Sequence, residues 1–204
     1  IVLNDDKTNI TGNGATYENG VLTVSMAGTY VLSGTLSEGR IVVKAGANDK
    51  VRLVLDGVDI TCSTEAPMIF TSADKVALVL ATNSHNSVTD ARTAMADDAT
   101  EEELSAIEYK AAITSHVSLT VNGEGLLSVT GGCRNGISTK KNLRIVSGKL
   151  TVDAQNVGIK GNNSVSVCGG DITVNSVGDC IKTEEIDNTA KGFVDITGGT
   201  LTLR

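Results

Sequence analysis

Lys160 and Lys182 lie 22 residues apart, each directly after an isoleucine, and Asp179 precedes the second of them closely. A lysine held beside carboxylates suits calcium-assisted elimination on a uronate. There the metal acidifies the proton next to the sugar carboxylate, and a Lys or Arg removes it. Surface ion pairing explains the same arrangement equally well. Asp179, Glu184, Glu185 and Asp187 gather carboxylates into one short stretch. They form the best oxygen cluster for calcium, which takes about six to eight oxygen ligands. A solvated acidic loop is the plainer reading. Arg134, Lys140, Lys141 and Arg144 form a local basic cluster that can meet a uronate directly, or simply decorate a wet face.

Other chemistries find less support. His85 and His116 are the only histidines, no Gly-x-Ser-x-Gly is present, and Ser84 beside His85 reads as part of an Asn-rich turn. No pair of carboxylates stands out for glycoside hydrolysis. The cysteines at 62, 133, 168 and 180 form no Cys-x-x-Cys, so a zinc site is not expected. They read as buried thiols, with a Cys133–Cys180 bridge left open. Flat cellulose-binding faces stack sugars on aromatic rings, but the chain has no Trp, and Tyr17, Tyr30 and Tyr109 are scattered. Ser128, Thr151, Thr173 and Thr202 would line up as an outward hydroxyl column, which β-propensity alone also explains.

These residues must be positioned by a repeat. Ile137, Ile159 and Ile181 recur every 22 residues. Each unit holds a short strand carrying the Ile, a second alternating strand (Leu143-Arg144-Ile145, Val165-Ser166-Val167), a glycine turn, and a third alternating strand (Leu150-Thr151-Val152, Ile172-Thr173-Val174). Strict alternation buries one face of each strand and wets the other. Glycine before the third strand permits a positive-φ corner. Val51–Leu55 and Val76–Leu80 read as second strands of earlier units. The spacing predicts an all-β fold: a right-handed, single-stranded parallel β-helix of about six three-strand coils. It is expected to be one domain, with cap strands over 1–36, coils over 37–204, and an insertion over 91–110. Thr100-Glu101-Glu102-Glu103 reads as a helix capping box there, with Leu104 and Ile107 as a small apolar face. Arg204 directly follows a third strand, so a truncated solenoid is expected.

Net charge is −7 with a pI near 4.8. An acidic surface repels nucleic acid and anionic lipid, and no apolar run reaches the roughly 20 residues of a membrane span. Neither nucleic acid nor membrane insertion is expected, and a monomer is.

The segment AGTYVLSGTL, Ala27 to Leu36, followed by KVRLVLDGVDIT, Lys50 to Thr61, resembles the opening of a bacterial family of carbohydrate-binding β-helix proteins once classed as a domain of unknown function. The later Gly-Ile starts and Gly-Gly turns are similar to its coils, and the resemblance covers about Gly12 to Leu203. It implies a secreted or cell-surface protein with a pectate-lyase-like fold that binds cellulose and polygalacturonate and carries calcium. The family's coils begin Asp-Gly-Ile, whereas the matching first positions here are Asn135, Val157 and Asp179, which weakens a calcium site along that edge. The expectation is an extracellular, non-catalytic module for plant cell-wall polysaccharide, with calcium as its cofactor. The alternatives are a calcium-dependent polysaccharide lyase using Lys160 or Lys182, and a structural or adhesin solenoid without sugar affinity.

Overall fold

A computed structural model of the chain describes residues 1–95 and 99–204. The protein is nearly all-β, and its parallel sheets curl around one apolar core. From Arg40 onward the strands come in sequence triplets, and each strand pairs with its counterpart in the next triplet. Three parallel ladders result. The first holds the front half of Lys50–Cys62, then Lys75–Leu80, Ser118–Gly123, Asn142–Ile145, Ser164–Val167 and Phe193–Ile196. The second holds the rear half of Lys50–Cys62, then His85–Asp90, Leu126–Gly131, Lys149–Ala154, Asp171–Ser176 and Thr200–Leu203. The third holds Arg40–Lys44, Met68–Ser72, Ala111–Ser115, Asn135–Thr139, Ile159–Gly161 and Ile181–Lys182.

The register explains the sequence pattern. Because side chains alternate across a strand, in-register stacking places like positions above one another. Ile41, Met68, Ile113, Ile137 and Ile159 form one fully buried column that ends on half-buried Ile181. Val76, Leu119, Leu143 and Val165 form another. Burying each such side chain contributes about 1.5–3 kcal/mol. Gly148, Gly170 and Gly199 precede the later second-ladder strands with φ of 103°, 98° and 95°, so the expected left-handed corners are present. Gly136 and Gly158 are required for a different reason. A Cβ on Gly158 would strike Val174 Cγ1 and the Cys180 carbonyl oxygen, so the chain turns a corner too tight for a side chain.

Two expectations change. The segment 1–36 does not simply lie across the first triplet. Val21–Val24 runs parallel to Arg40–Lys44, and Gly28–Leu36 runs parallel to Lys50–Cys62, so both extend the ladders. Ala15–Glu18 pairs antiparallel, through a tight turn to Val21–Val24, and an isolated antiparallel bridge joins Val2 to Asn9. The insertion over 91–110, of which 96–98 lie outside the described residues, joins one triplet to the next. Its helix, Glu101–Ala106, has the capping box at Thr100 and Glu103, but no buried residue. Leu104 and Ile107 are only half-buried, so the small apolar face does not pack into the core. Among the described residues, no helix is long and apolar enough to cross a membrane.

Gly158→Ala is expected to lower stability by about 1–3 kcal/mol through overpacking of this corner. A chemical denaturation curve reads this as an earlier midpoint.

Candidate functional site: a cationic groove on the third ladder

The column of the third ladder that alternates with the buried isoleucines runs Val42, Ile69, Thr114, Ser138, Lys160, Lys182, with Ile69 and Thr114 buried. It thus changes from apolar to hydroxyl to cationic along the stack. Adjacent rungs are about 4.8 Å apart, which holds the two lysines side by side. Over this column lies a hollow of about 470 Å³, bordered by Glu108, Lys110, His116, Lys140, Lys160 and Glu184. A second hollow, about 220 Å³, reaches Arg134, Lys182 and the helix residues Glu101 and Leu104. The two share Lys110, Asn135, Lys160 and Glu184. Together they form one groove with five cationic side chains (Lys110, Arg134, Lys140, Lys160, Lys182) in a protein of net charge −7.

The insertion forms one wall, and a buried ion network ties it down. Arg92 Nε and Nη2 donate to the two Asp90 oxygens at 2.8 Å each, and Nη1 donates to Glu65 Oε1 at 3.0 Å. Nη2 also donates to the Tyr109 carbonyl at 2.8 Å, directly before the wall residue Lys110. The Asp90 side chain is 0% exposed and that of Arg92 12%. Next to the wall, the rings of Tyr109 and His116 lie 5.8 Å apart. Burial, and then the charge of Lys140, hold His116 below the usual histidine range. On the floor, Asn135 Oδ1 accepts from the Val157 amide at 3.2 Å, joining adjacent corners. With its amide oxygen turned toward Arg134, Asn156 accepts from Nε and Nη2 at 2.9 and 3.0 Å and holds that guanidinium at the groove edge.

The residues singled out from sequence divide between faces. Lys160, Lys182, Arg134 and Lys140 converge on the groove. Lys141 is exposed outside both hollows. Arg144 pairs between Thr120 and Ser166 on the first ladder, so the basic cluster of four is not one patch. Proximity in sequence misled here, because the corner after Lys141 carries the chain onto another sheet. The four acidic residues do not converge either. Glu184 pairs with Lys160, and Asp179 pairs with Lys182 at 3.2 Å. Glu185 Oε1 instead accepts the Asp187 amide at 3.2 Å. Among the described residues, no group of three or more His, Cys, Asp or Glu is gathered as a metal site. All four cysteines are free, and no Cys133–Cys180 bridge forms. Burial pushes the Cys133 thiol up.

Lys110, His116, Asn135 and Asn162 border the groove without having been singled out as binding residues. The register of the isoleucines carried a signal for Asn135, which stands at a corner. Lys110 gave none, because its place depends on how the insertion folds back.

Residues 18–204 match the family described as carbohydrate-binding domain-containing protein. The chain belongs to this family. A relative from Acetivibrio thermocellus, itself called a carbohydrate-binding domain-containing protein, is 38% identical over 155 residues, or 76% of this chain and 52% of that protein. The chain therefore spans about half the length of this curated relative. The solved structure of the polysaccharide lyase-like protein from C. thermocellum matches with a TM-score of 0.90 and 37% identity. That match covers all of this chain and 80% of the other. Membership in the carbohydrate-binding domain family supports a carbohydrate-binding role.

Arg92→Met strands the buried Asp90 carboxylate, and a loss of about 3–5 kcal/mol is expected. Thermal melts of the variant should fall well below those of the wild type.

Proposed function

We propose that this chain is an extracellular, non-catalytic module that binds acidic plant cell-wall polysaccharide of the polygalacturonate type. In this reading it acts as a monomer, and the triplets wind as about six coils of a right-handed, single-stranded parallel β-helix with the groove along one side. The observation that carries the reading is the concentration of five cations in one groove of an acidic protein. Charge-assisted hydrogen bonds from lysine and arginine to carboxylates are roughly twice as strong as neutral ones. A polyuronate presents a carboxylate on every sugar, so the outward lysines of adjacent rungs can meet successive units. The lysines supply the positive charge that a bridging cation would bring, and calcium is not required for this mode of binding. Cellulose, the neutral ligand, would find no aromatic platform in the groove. In the lyase alternative, Lys160 would be the base, once released from Glu184. The likeness to a protein called polysaccharide lyase-like keeps that alternative in the test.

The test is a pull-down on polygalacturonate gel and on insoluble cellulose, with calcium and then with EDTA, while the ultraviolet absorbance of the supernatant is followed. Retention on polygalacturonate in both buffers with flat absorbance is expected. Lys160→Met combined with Lys182→Met should weaken it about tenfold or more. Rising absorbance would identify a lyase. Loss of retention in EDTA would make calcium the bridge, and no retention on either polymer would leave a structural module.

A further inference from the structure

Glu184 holds a position that the binding role alone does not explain. Its Oε2 is ion-paired to Lys160 Nζ, and the two side chains border both hollows of the groove. On one side of the pair lie His116 and Lys140, and on the other Arg134 and Lys182. The pair therefore stands where the two hollows meet. Lys160 is rooted in a ladder strand and its side chain is only 20% exposed, whereas that of Glu184 is 43% exposed and sits on the loop after Ile181–Lys182. That loop is tied to the neighbouring rung by the Glu184 and Glu185 amides, which donate to the Asn162 carbonyl at 3.4 and 3.0 Å. The backbone is thus held while the carboxylate is partly exposed to solvent. Lys182 has a comparable partner in Asp179, but Asp179 borders neither hollow.

We infer that Glu184 is a specificity-determining residue: a built-in carboxylate that occupies Lys160 until a ligand carboxylate replaces it. The inference rests on the acidic-polysaccharide reading of the groove and adds a selection rule to it. A carboxylate-bearing ligand exchanges one ion pair for another at Lys160, where the two hollows meet. A neutral glycan cannot make the exchange. It would have to separate Lys160 from Glu184 with no charge to replace it, or stay within one hollow. The resident pair is exposed enough to be weak, so displacement by a carboxylate is easy, and removing the competitor tightens binding modestly.

The experiment is calorimetric titration of wild type, Glu184→Gln, Asp179→Asn and Lys160→Met with a short oligogalacturonate and with a cello-oligosaccharide. Glu184→Gln should bind the oligogalacturonate about two- to fivefold more tightly than wild type, and Asp179→Asn should change affinity less. Lys160→Met should weaken oligogalacturonate binding and so narrow its preference over the cello-oligosaccharide. Wild-type binding with unchanged or weaker binding by Glu184→Gln overturns the inference and leaves the groove reading standing. Equal tightening by Asp179→Asn also overturns it, because the effect would then be general loss of negative charge. Absence of binding by both wild type and Glu184→Gln overturns the groove reading and the inference together.

Discussion

In-register parallel stacking decides where every side chain of this protein can go. Each strand hydrogen-bonds to the strand of the same kind one triplet away, so a residue's neighbours are set by its position in the repeat. Inward positions then form columns of Ile, Leu and Val. The same rule acts on the alternating positions, where Thr114, Ser138, Lys160 and Lys182 fall into line. A chain with a pI near 4.8 thereby concentrates cations without raising its overall charge.

That rule also decides what was legible in the sequence. The 22-residue recurrence of Ile137, Ile159 and Ile181 and the glycine corners at 148, 170 and 199 carried the three ladders, because both signals are local and periodic. Lys160 and Lys182 were legible for the same reason. Arg144 was misplaced because four residues after Lys140 the chain has already turned onto the first ladder. The start of the ladders was misread too, since Gly28–Leu36 has an alternating pattern that fits a cap strand or a ladder strand, and only its pairing decides. The acidic stretch after Asp179 looked like an oxygen cluster, but two of its carboxylates turn to lysines on adjacent rungs. Proximity along the chain does not translate into convergence when a loop lies across the stack.

The groove joins a rigid part and a grafted part. Its floor is ladder, fixed by backbone hydrogen bonds and core columns. Its wall is the insertion, whose helix buries nothing and whose position is set instead by Arg92, Asp90 and the Tyr109 carbonyl. Five free cations would repel one another, and the exposed carboxylates Glu184 and Asp179 offset that repulsion in the free protein. Under the proposed function, a ligand that brings its own closely spaced carboxylates would take over that role.

Lysine footprinting asks which face of the protein holds a polyuronate. The protein is reductively methylated with and without soluble polygalacturonate, and modification is read residue by residue by mass spectrometry. Protection of Lys110, Lys140, Lys160 and Lys182, with Lys50, Lys75 and Lys149 on the other ladders modified as before, is the result this account expects. Protection of Lys50 and Lys75 in place of the groove lysines, or protection of none, would contradict it.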